Sequence, residues 1–292
     1  MTDPATTGSD ASHALFTSAV YTADSEDEVT RSAAEWLDEQ GRHPFILETA
    51  RVTMELLRVE PGSSILDAGC GTGVLLPRLA EAVGPTGRVT GLDRSTPFLA
   101  RARARLDQLA LGEQVDLVHG DVTAMPFRDG AFDAAHTERV LMHLDEPDDA
   151  IRELIRVTRP GGTVLSAEVF PAAVAIDHPD QEVMRRLNTA LVSDLRNPQM
   201  GIQLRRRFIH AGLVDVTGAG TVFFETRLDD DEVAEIHARG RQLVERGEVE
   251  AERMERALRH VVAANDGGYH TGMAVMFVVR GTVPAADPPP PA

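Results

Sequence analysis

The sequence contains no lysine, and this absence excludes two kinds of chemistry. A P-loop needs a lysine after its glycines to bind phosphate, and a Schiff-base mechanism needs a lysine amine. Cysteine is nearly absent as well, since Cys70 is the only one in 292 residues. One thiol cannot form an intrachain disulfide, a cysteine-based metal site or an iron–sulfur cluster. The composition therefore favours a reducing compartment, and arginine without lysine in an alanine-rich chain indicates a bacterial source.

Positive charge and long apolar runs are also scarce. The chain has 29 basic against 46 acidic side chains, and its net charge is -17. Because nucleic-acid backbones attract basic surfaces, DNA and RNA are poor candidates as partners. No apolar run reaches the length of a membrane span, and residues 1–12 lack the charged-then-apolar pattern of a signal peptide. We expect a cytoplasmic globular protein with no membrane and no nucleic-acid partner.

The run from Ile65 to Gly73 is the most informative part of the chain. An apolar strand contains Asp67 near its end, and glycines follow at every second position from Gly69, just before a helical pattern. Glycine at these positions removes each Cβ that would keep a ligand away from the backbone. A strand, a glycine loop and a helix in this order bring a nucleotide-like ligand to a helix N-terminus. The dinucleotide fingerprint G-x-G-x-x-G does not fit, because its third glycine position is Val74.

Three later segments place polar residues where a strand ends. Arg88–Ser95 has Asp93 at the carboxyl end of its strand, which lies beside the glycine loop in a doubly wound sheet. A carboxylate there can accept two hydrogen bonds from a ribose diol, with a role at the following helix start as the alternative. Val115–Phe127 carries Asp121 after a strand, and Phe132–Leu144 holds a fourth strand with the turn that follows it.

The chain resembles the class I S-adenosylmethionine-dependent methyltransferases. The resemblance lies in the motif D-x-G-x-G-x-G and in the order of the segments between residues 64 and 169, including the proline–glycine turn in Glu153–Thr163. The likeness is to their small-molecule branch, related to ubiquinone and menaquinone biosynthesis and to natural-product tailoring. It implies an α/β fold: a seven-stranded, doubly wound, Rossmann-like sheet whose last strand is antiparallel, with N-terminal helices and helical lid insertions. It also implies S-adenosylmethionine as cofactor and S-adenosylhomocysteine as product.

The resemblance assigns roles to individual residues. Asp93 matches the residue that binds the ribose hydroxyls, Asp121 matches the acid that accepts from the adenine amino group, and Val122 matches the residue that packs on the adenine ring. The expected cofactor-binding residues are Asp67, Gly69, Cys70, Gly71, Gly73, Asp93, Arg94, Asp121, Val122 and Thr137. We expect Cys70 to fill space in the loop, with a reactive thiol as the alternative.

The candidate catalytic residues are His143, His136 and Glu138, at the end of the fourth strand and in the turn after it. The methyl group of a sulfonium is already activated, so a base is needed only when the acceptor must lose a proton. A histidine can take a phenol or enol proton near neutral pH. Structural alternatives stay open: His136 as a satisfied strand residue, His143 as a cap of the turn, and Glu138 as a partner of the methionine amino group. His43 is a further candidate in a lid, and no metal is expected because no ligand motif is present.

We expect one methyltransferase domain over residues 13–283, between disordered tails at 1–12 and 284–292. Its expected parts are N-terminal lid helices at 25–58, a cofactor-binding core at 62–169, a lid insertion at 171–197 and a C-terminal part at 199–283. Apolar periodicity predicts helices at 25–40, 44–58, 179–196 and 199–211, a strand at 213–228, a helical stretch at 230–264 broken near Gly247, and a closing strand at 271–280.

These features predict an enzyme that moves a methyl group to an oxygen, nitrogen or carbon atom of a small, rather apolar metabolite, in the manner of secondary metabolism. Three alternatives stay open. The cofactor site can serve a cyclisation or rearrangement, or belong to a non-catalytic cofactor-binding subunit. A nicotinamide dehydrogenase is the third, although the glycine spacing disfavours it. The sequence does not identify the acceptor or the oligomeric state, for which a homodimer is one possibility.

Overall fold

The computed structural model describes residues 28–193 and 195–285. The predicted tail at 1–12 and residues 286–292 of the predicted C-terminal tail lie outside these ranges. The strands are β1 Ser64–Ala68, β2 Arg88–Asp93, β3 Val115–His119, β4 Phe132–Glu138, β5 Thr158–Val169, β6 Ala175–Ile176, β7 Val214–Glu225 and β8 Gly272–Thr282. The helices are α1 Glu28–Gln40, α2 Pro44–Leu57, α3 Leu76–Val83, α4 Thr96–Gln108, α5 Pro147–Val157, α6 Gln181–Leu191, α7 Met200–His210, α8 Asp230–Glu245 and α9 Ala251–Asp266.

The strands form one sheet that is parallel over its first five members, in the order β3-β2-β1-β4-β5. β8 runs antiparallel to β5, and both β7 and β6 pair with β8 in the antiparallel sense. The predicted fold class is therefore confirmed, including the antiparallel closing strand. The sheet has one strand more than predicted, because the two-residue β6 adds to the start of β8. A strand of two residues is too short to show a period in the sequence.

Helices cover both faces of the sheet, as expected for parallel strands whose two sides are apolar. On one face, residues of α2 and α3 pack with Ile65, Val89 and Leu165. On the other face, residues of α5 and α7 pack with Leu66 and Val164. A third apolar cluster joins α6, α8 and α9. No helix in the described ranges has the length and apolar character needed to span a lipid bilayer.

The helix predicted at 179–196 is shorter than expected, because α6 ends at Leu191. Asn197 stands before a proline, and a residue in that position avoids the helical region of backbone space. Leu195 packs against the cluster of α5 and α7 instead of extending the apolar face of α6. The chain beyond α6 therefore returns toward the sheet.

The strand predicted at 213–228 ends early, at Glu225. The reason is local: Asp229 begins α8 with a capping box, in which its side chain accepts from the Glu232 amide and the Glu232 side chain accepts from the Asp229 amide. The helical stretch predicted at 230–264 is broken near Gly247 as expected, which separates α8 from α9.

The carboxyl ends of β1, β2 and β4 lie side by side at one edge of the sheet. Asp67 of β1 is in register with Gly91 of β2 and with His136 of β4. In open α/β sheets, ligands bind beyond this edge, where the strand order reverses. The fold therefore brings the predicted site segments together.

Candidate active site

The loop after β1 has a backbone shape that requires glycine. Gly69, Gly71 and Gly73 have φ angles of +79°, +53° and +73°, in the left-handed region that side chains rarely adopt. A Cβ on Gly69 would stand 2.3 Å from the Val140 side chain, and one on Gly73 would stand 2.9 Å from Ala102 Cβ. The three glycines thus allow the turn, and Gly69 and Gly73 also allow its close packing against the segment after β4 and against α4.

Asp93 ties this loop to the end of β2. Its Oδ2 accepts a hydrogen bond from Gly71 N, and its Oδ1 accepts one from Ser95 N, both at 2.8 Å. The residue is 7% exposed, and burial raises the pKa of its carboxyl to about 6 in spite of the two amide donors. Each carboxylate oxygen keeps acceptor capacity, which suits a diol at this position.

Cys70 lies inside the loop as a buried free thiol. Burial, together with the nearby carboxylates of Asp93 and Asp67, raises its pKa well above the usual value. A thiol held in the protonated form is a poor nucleophile at neutral pH. The structure therefore favours the space-filling role that the sequence predicted for Cys70.

The segment after β3 forms the outer end of the site. Asp121 is exposed, and its Oδ1 accepts from Thr123 N and Thr123 Oγ1 at 2.8 and 2.7 Å. Val122 is buried in the core cluster beside Leu92. The pKa of the Asp121 carboxyl is lowered in spite of desolvation, by the hydrogen bonds from Thr123 and by the charge of the exposed Arg94. The predicted adenine and ribose contacts therefore lie at the ends of neighbouring strands.

A buried histidine–aspartate pair joins the ends of β1 and β4. His136 Nδ1 lies 2.8 Å from Asp67 Oδ1, and both side chains are buried, His136 at 1% exposure. His136 Nε2, on the other side of the ring, has no hydrogen-bond partner in the described part of the chain. A buried polar atom without a partner is costly, so this nitrogen is a strong candidate for contact with a ligand. The sequence predicted both residues for the site but not their pairing.

Three more buried oxygens near the ends of β4 and β5 lack a partner among the described residues: Thr137 Oγ1, Ser166 Oγ and Glu168 Oε2. Thr137 and Ser166 are in register on adjacent strands, and Glu168 follows Ser166 by two residues. In-register residues and residues two apart share one face of a sheet. The three groups therefore line the face opposite the His136–Asp67 pair.

The turn after β4 contains a strained residue and buries the predicted base His143. Arg139 has φ +54°, which is uncommon for a residue other than glycine, and its Nε lies 3.4 Å from Glu138 Oε1. A short 3-10 helix follows at Leu141–His143. His143 is 7% exposed, and burial, together with the charges of Arg139 and Arg196, lowers the pKa of its imidazole to about 3. His143 is therefore neutral over the physiological pH range.

Residues beyond α6 brace this turn, which the sequence did not reveal. Asn197 N donates to Met142 O at 2.9 Å, and Asn197 Nδ2 donates to Leu144 O at 2.6 Å and to Leu141 O at 3.2 Å. Arg196 Nη1 donates to His143 O at 3.2 Å. No pattern in the sequence signals these contacts, because they join segments more than 50 residues apart.

The first helix also contacts the glycine loop. Asp38 of α1 accepts from Thr72 Oγ1 at 2.7 Å and from Arg105 Nη2 at 2.6 Å, and it pairs with Arg101. Leu37 stands 3.6 Å from where a Cβ on Gly71 would be. α1 therefore lies against the glycine loop, and its role as a lid stays a prediction.

His43, the further lid candidate, has a structural role in this arrangement. Its Nδ1 accepts from Phe45 N at 3.3 Å as the N-cap of α2, and its ring packs on Phe223 with centroids 4.5 Å apart. Within the described ranges, no group of three or more His, Cys, Asp or Glu residues is placed to hold a metal ion.

Comparison with known proteins agrees with this geometry. A family model described as "Methyltransferase domain" matches residues 66–166, which contain the glycine loop and β4. A demethylmenaquinone methyltransferase of Bacillus cytotoxicus is 40% identical over 116 residues, which are 40% of this chain and 48% of that protein. Residues 66–166 therefore form a domain of the class I S-adenosylmethionine-dependent methyltransferases.

Other relatives of this methyltransferase extend the likeness along the chain. A protein of Streptomyces fradiae, described as an uncharacterized 37.1 kDa protein in transposon TN4556, is 36% identical over 236 residues, which are 80% of this chain and 66% of that protein. A putative methyltransferase from Bacillus halodurans has the same fold, with a TM-score of 0.56 at 16% identity, over 81% of this chain and 99% of that one. The chain spans about half the length of the demethylmenaquinone methyltransferases that it matches.

The residues of this methyltransferase fit the cofactor of its family. At Gly71 a Cβ would have only Leu37 within 4 Å, at 3.6 Å, so there is room for a ligand beside the backbone there, whereas the Cβ positions of Gly69 and Gly73 face Val140 and Ala102. Asp93 offers a buried carboxylate to a diol, and Thr137 Oγ1, which has no partner among the described residues, offers a polar contact at the end of β4. These are groups that a nucleoside with a charged amino-acid tail can satisfy.

Proposed function

We propose that this methyltransferase transfers the methyl group of S-adenosylmethionine to an oxygen, nitrogen or carbon atom of a small, rather apolar acceptor. The observation that carries the proposal is the glycine loop hydrogen-bonded to the buried carboxylate of Asp93. S-adenosylmethionine, when bound, supplies a methyl group on a sulfonium that is already activated for displacement. The protein then has to orient the two partners and exclude water from them.

His136 is the best-placed general base for an acceptor that must lose a proton. Its Nδ1 lies against the Asp67 carboxylate, so the hydrogen on that nitrogen is held and Nε2 is left as the acceptor. The carboxylate also stabilises the imidazolium that forms when Nε2 takes a proton. Asp67 therefore orients His136, in addition to its expected place beside the cofactor loop.

His143 is a poor base by comparison. Burial and the positive charges of Arg139 and Arg196 destabilise its imidazolium form, which is why its pKa is about 3. Its buried side chain is then proposed to serve the packing of the turn. The predicted alternative, His143 as a cap of the turn, stays a prediction, because the contact from Arg196 is to the main-chain oxygen and not to the imidazole.

The acceptor is proposed to be a small molecule with an acidic O–H or C–H group, such as a phenol or an enol. The resemblance over 40% of this chain to proteins described as demethylmenaquinone methyltransferases supports a small-molecule acceptor. The net charge of -17 argues against nucleic acid as the acceptor. The single cysteine is consistent with work in the cytoplasm.

The test compares His136→Asn with His143→Asn. Production of S-adenosylhomocysteine is measured with a panel of small phenols and quinols across pH, and binding of S-adenosylhomocysteine is measured separately. We expect His136→Asn to slow turnover by ~10²–10⁴-fold and to remove the acid limb of the pH profile, with cofactor affinity retained. His143→Asn should leave the pH profile unchanged.

Two results would count against the base. One is wild-type turnover by His136→Asn on an acceptor that must lose a proton. The other is a loss of cofactor affinity in that variant, which would place Nε2 on the cofactor. If the wild-type protein binds S-adenosylmethionine and yet methylates none of the panel, the proposed acceptor class is wrong.

A further inference from the structure

Glu168 is a buried carboxyl group beside the proposed site that nothing in the proposed reaction uses. It lies near the end of β5 and is 0% exposed. No arginine is paired with it in the described ranges, and burial raises its pKa to about 8. A buried glutamate without an ion partner is costly, so its contacts should account for its presence.

The contacts of Glu168 are with the turn after β4. Its Oε1 accepts from Leu141 N at 2.7 Å and from Val140 N at 3.1 Å. These two amides lie at the start of the short 3-10 helix, where no carbonyl oxygen of the turn is available to accept from them. Oε2 has no hydrogen-bond partner among the described residues. One oxygen atom of Glu168 therefore serves both amides, and the Met142 amide of the same turn also favours the carboxylate form.

This turn is strained, and it touches the cofactor loop. Arg139 is held with φ +54° by a hydrogen bond from its amide to Ala167 O at 2.8 Å. A Cβ on Gly69 would lie only 2.3 Å from Val140 Cγ2, so the Val140 side chain packs directly against Gly69. Residues 167 and 168 of β5 thus hold residues 139–141 directly against the first glycine of the loop. A strained turn persists only when its surroundings hold it in place.

We propose that Glu168 is a positioning residue for methyl transfer: it holds the turn 139–141 against Gly69 and so sets the wall of the cofactor pocket next to the end of β4. The inference rests on the proposed function, since that wall matters only if the pocket binds the cofactor. Glu168 touches neither substrate nor reacting atoms in this account. It acts through the backbone of Val140 and Leu141.

Three substitutions separate this role from simple stability. Glu168→Gln keeps an oxygen for both amides and changes only the atom that has no partner, so it should behave like the wild type. Glu168→Ala removes the acceptor of both amides. Glu168→Asp is shorter by one methylene, so it should bind one amide well and the other poorly. Glu235→Ala is the control for loss of a buried glutamate away from the pocket, because Glu235 of α8 is also buried, with Oε1 on Arg239 at 2.7 Å and with Oε2 unpartnered among the described residues.

Two measurements are made on each full-length variant. Calorimetric titration with S-adenosylhomocysteine reports the pocket without any need for an acceptor, and amide hydrogen exchange reports the turn itself. We expect Glu168→Ala to weaken binding by about tenfold or more, the effect of about 1.4 kcal/mol, with faster exchange over residues 139–144. Glu168→Asp should be intermediate, and Glu168→Gln and Glu235→Ala should bind within about threefold of the wild type.

The proposal is overturned if folded Glu168→Ala, or Glu168→Asp where the alanine variant does not fold, binds as tightly as the wild type. It is also overturned if Glu168→Gln loses affinity as fully as the alanine variant, because then the carboxylate and not the bond to the turn is needed. Failure of the proposed function looks different: the wild-type protein itself would bind neither S-adenosylhomocysteine nor S-adenosylmethionine, while exchange at residues 139–144 would still depend on Glu168.

Discussion

Asp93 has two tasks at the scale of a single residue. It accepts hydrogen bonds from the amides of Gly71 and Ser95, and it is the expected partner of the ribose hydroxyls. Burial raises the pKa of this carboxyl to about 6 although backbone amides donate to it, so its ionised form is stabilised by each further hydrogen-bond donor. Removing it should therefore affect cofactor binding more than any exposed acid does.

We expect Asp93→Ala to weaken binding of S-adenosylhomocysteine by about 2–3 kcal/mol, the effect of charge-assisted hydrogen bonds lost in a buried site. The measurement is calorimetric titration at pH 7.5. Asp116→Ala is the matched control, because Asp116 lies on the adjacent β3 and is exposed. Equal affinities of the two variants would remove Asp93 from the ribose site.

The pKa of about 6 also predicts a pH dependence of binding. A diol donates hydrogen bonds to the carboxylate more readily than to the protonated acid. The affinity for the ligand should therefore reach its full value above pH 7, begin to fall near pH 6 and decrease by up to about tenfold per pH unit at lower pH. In the absence of ligand, the pH dependence of folding stability has the opposite sign. Because the pKa is higher in the folded protein than in the unfolded chain, the folded protein binds the proton more tightly. The contribution of this group to the free energy of unfolding is therefore lost as pH rises from 3.8 to about 6.

The check is a titration series with S-adenosylhomocysteine between pH 5 and pH 8 on the wild type and on Asp93→Ala. The variant should show a flatter profile. A wild-type affinity that is as high at pH 5 as at pH 7.5 would show that no carboxyl with a raised pKa takes part in binding.

At the scale of secondary-structure elements, α1 is joined to the cofactor loop by one side chain. Asp38 binds Thr72 of the loop and Arg101 and Arg105 of α4, so three elements meet at one carboxylate. Hydrogen bonds to an ionised acceptor are the strong ones. The position of α1 should therefore depend on Asp38.

We expect Asp38→Ala to lower the free energy of unfolding by ~1–3 kcal/mol and to speed proteolysis between α1 and α2. Cofactor release should also become faster, because Thr72 loses a partner at the same time. Glu39→Ala removes the same charge from the next, exposed position and should change neither property. Identical cleavage rates for the two variants would show that Asp38 does not hold the helix.

The elements that the sequence predicted correctly are those specified by local patterns. The glycine loop follows from three residues spaced by two, and the helix break near Gly247 from one residue. The contacts that complete the site could not be predicted this way. Asp67 and His136 are 69 residues apart in the chain, and whether Glu168 faces the turn depends on the register of β5 against β4.

At the scale of the whole molecule, the core between residues 64 and 169 agrees with the sequence interpretation more closely than its flanks. The segments of the core match the motifs of the family one after another, in the same order. The flanks form their elements through tertiary packing: α6, α8 and α9 share one apolar cluster, and the chain after α6 turns back because Leu195 and Asn197 bind the core. No local pattern encodes such a return.

The central claim is that this site binds S-adenosylmethionine. Calorimetric titration of the full chain with S-adenosylmethionine and with S-adenosylhomocysteine, and with NAD in parallel, tests it most directly. We expect micromolar binding of both S-adenosyl compounds at one site per chain and no binding of NAD. Binding of NAD alone, or of none of the three, would contradict it.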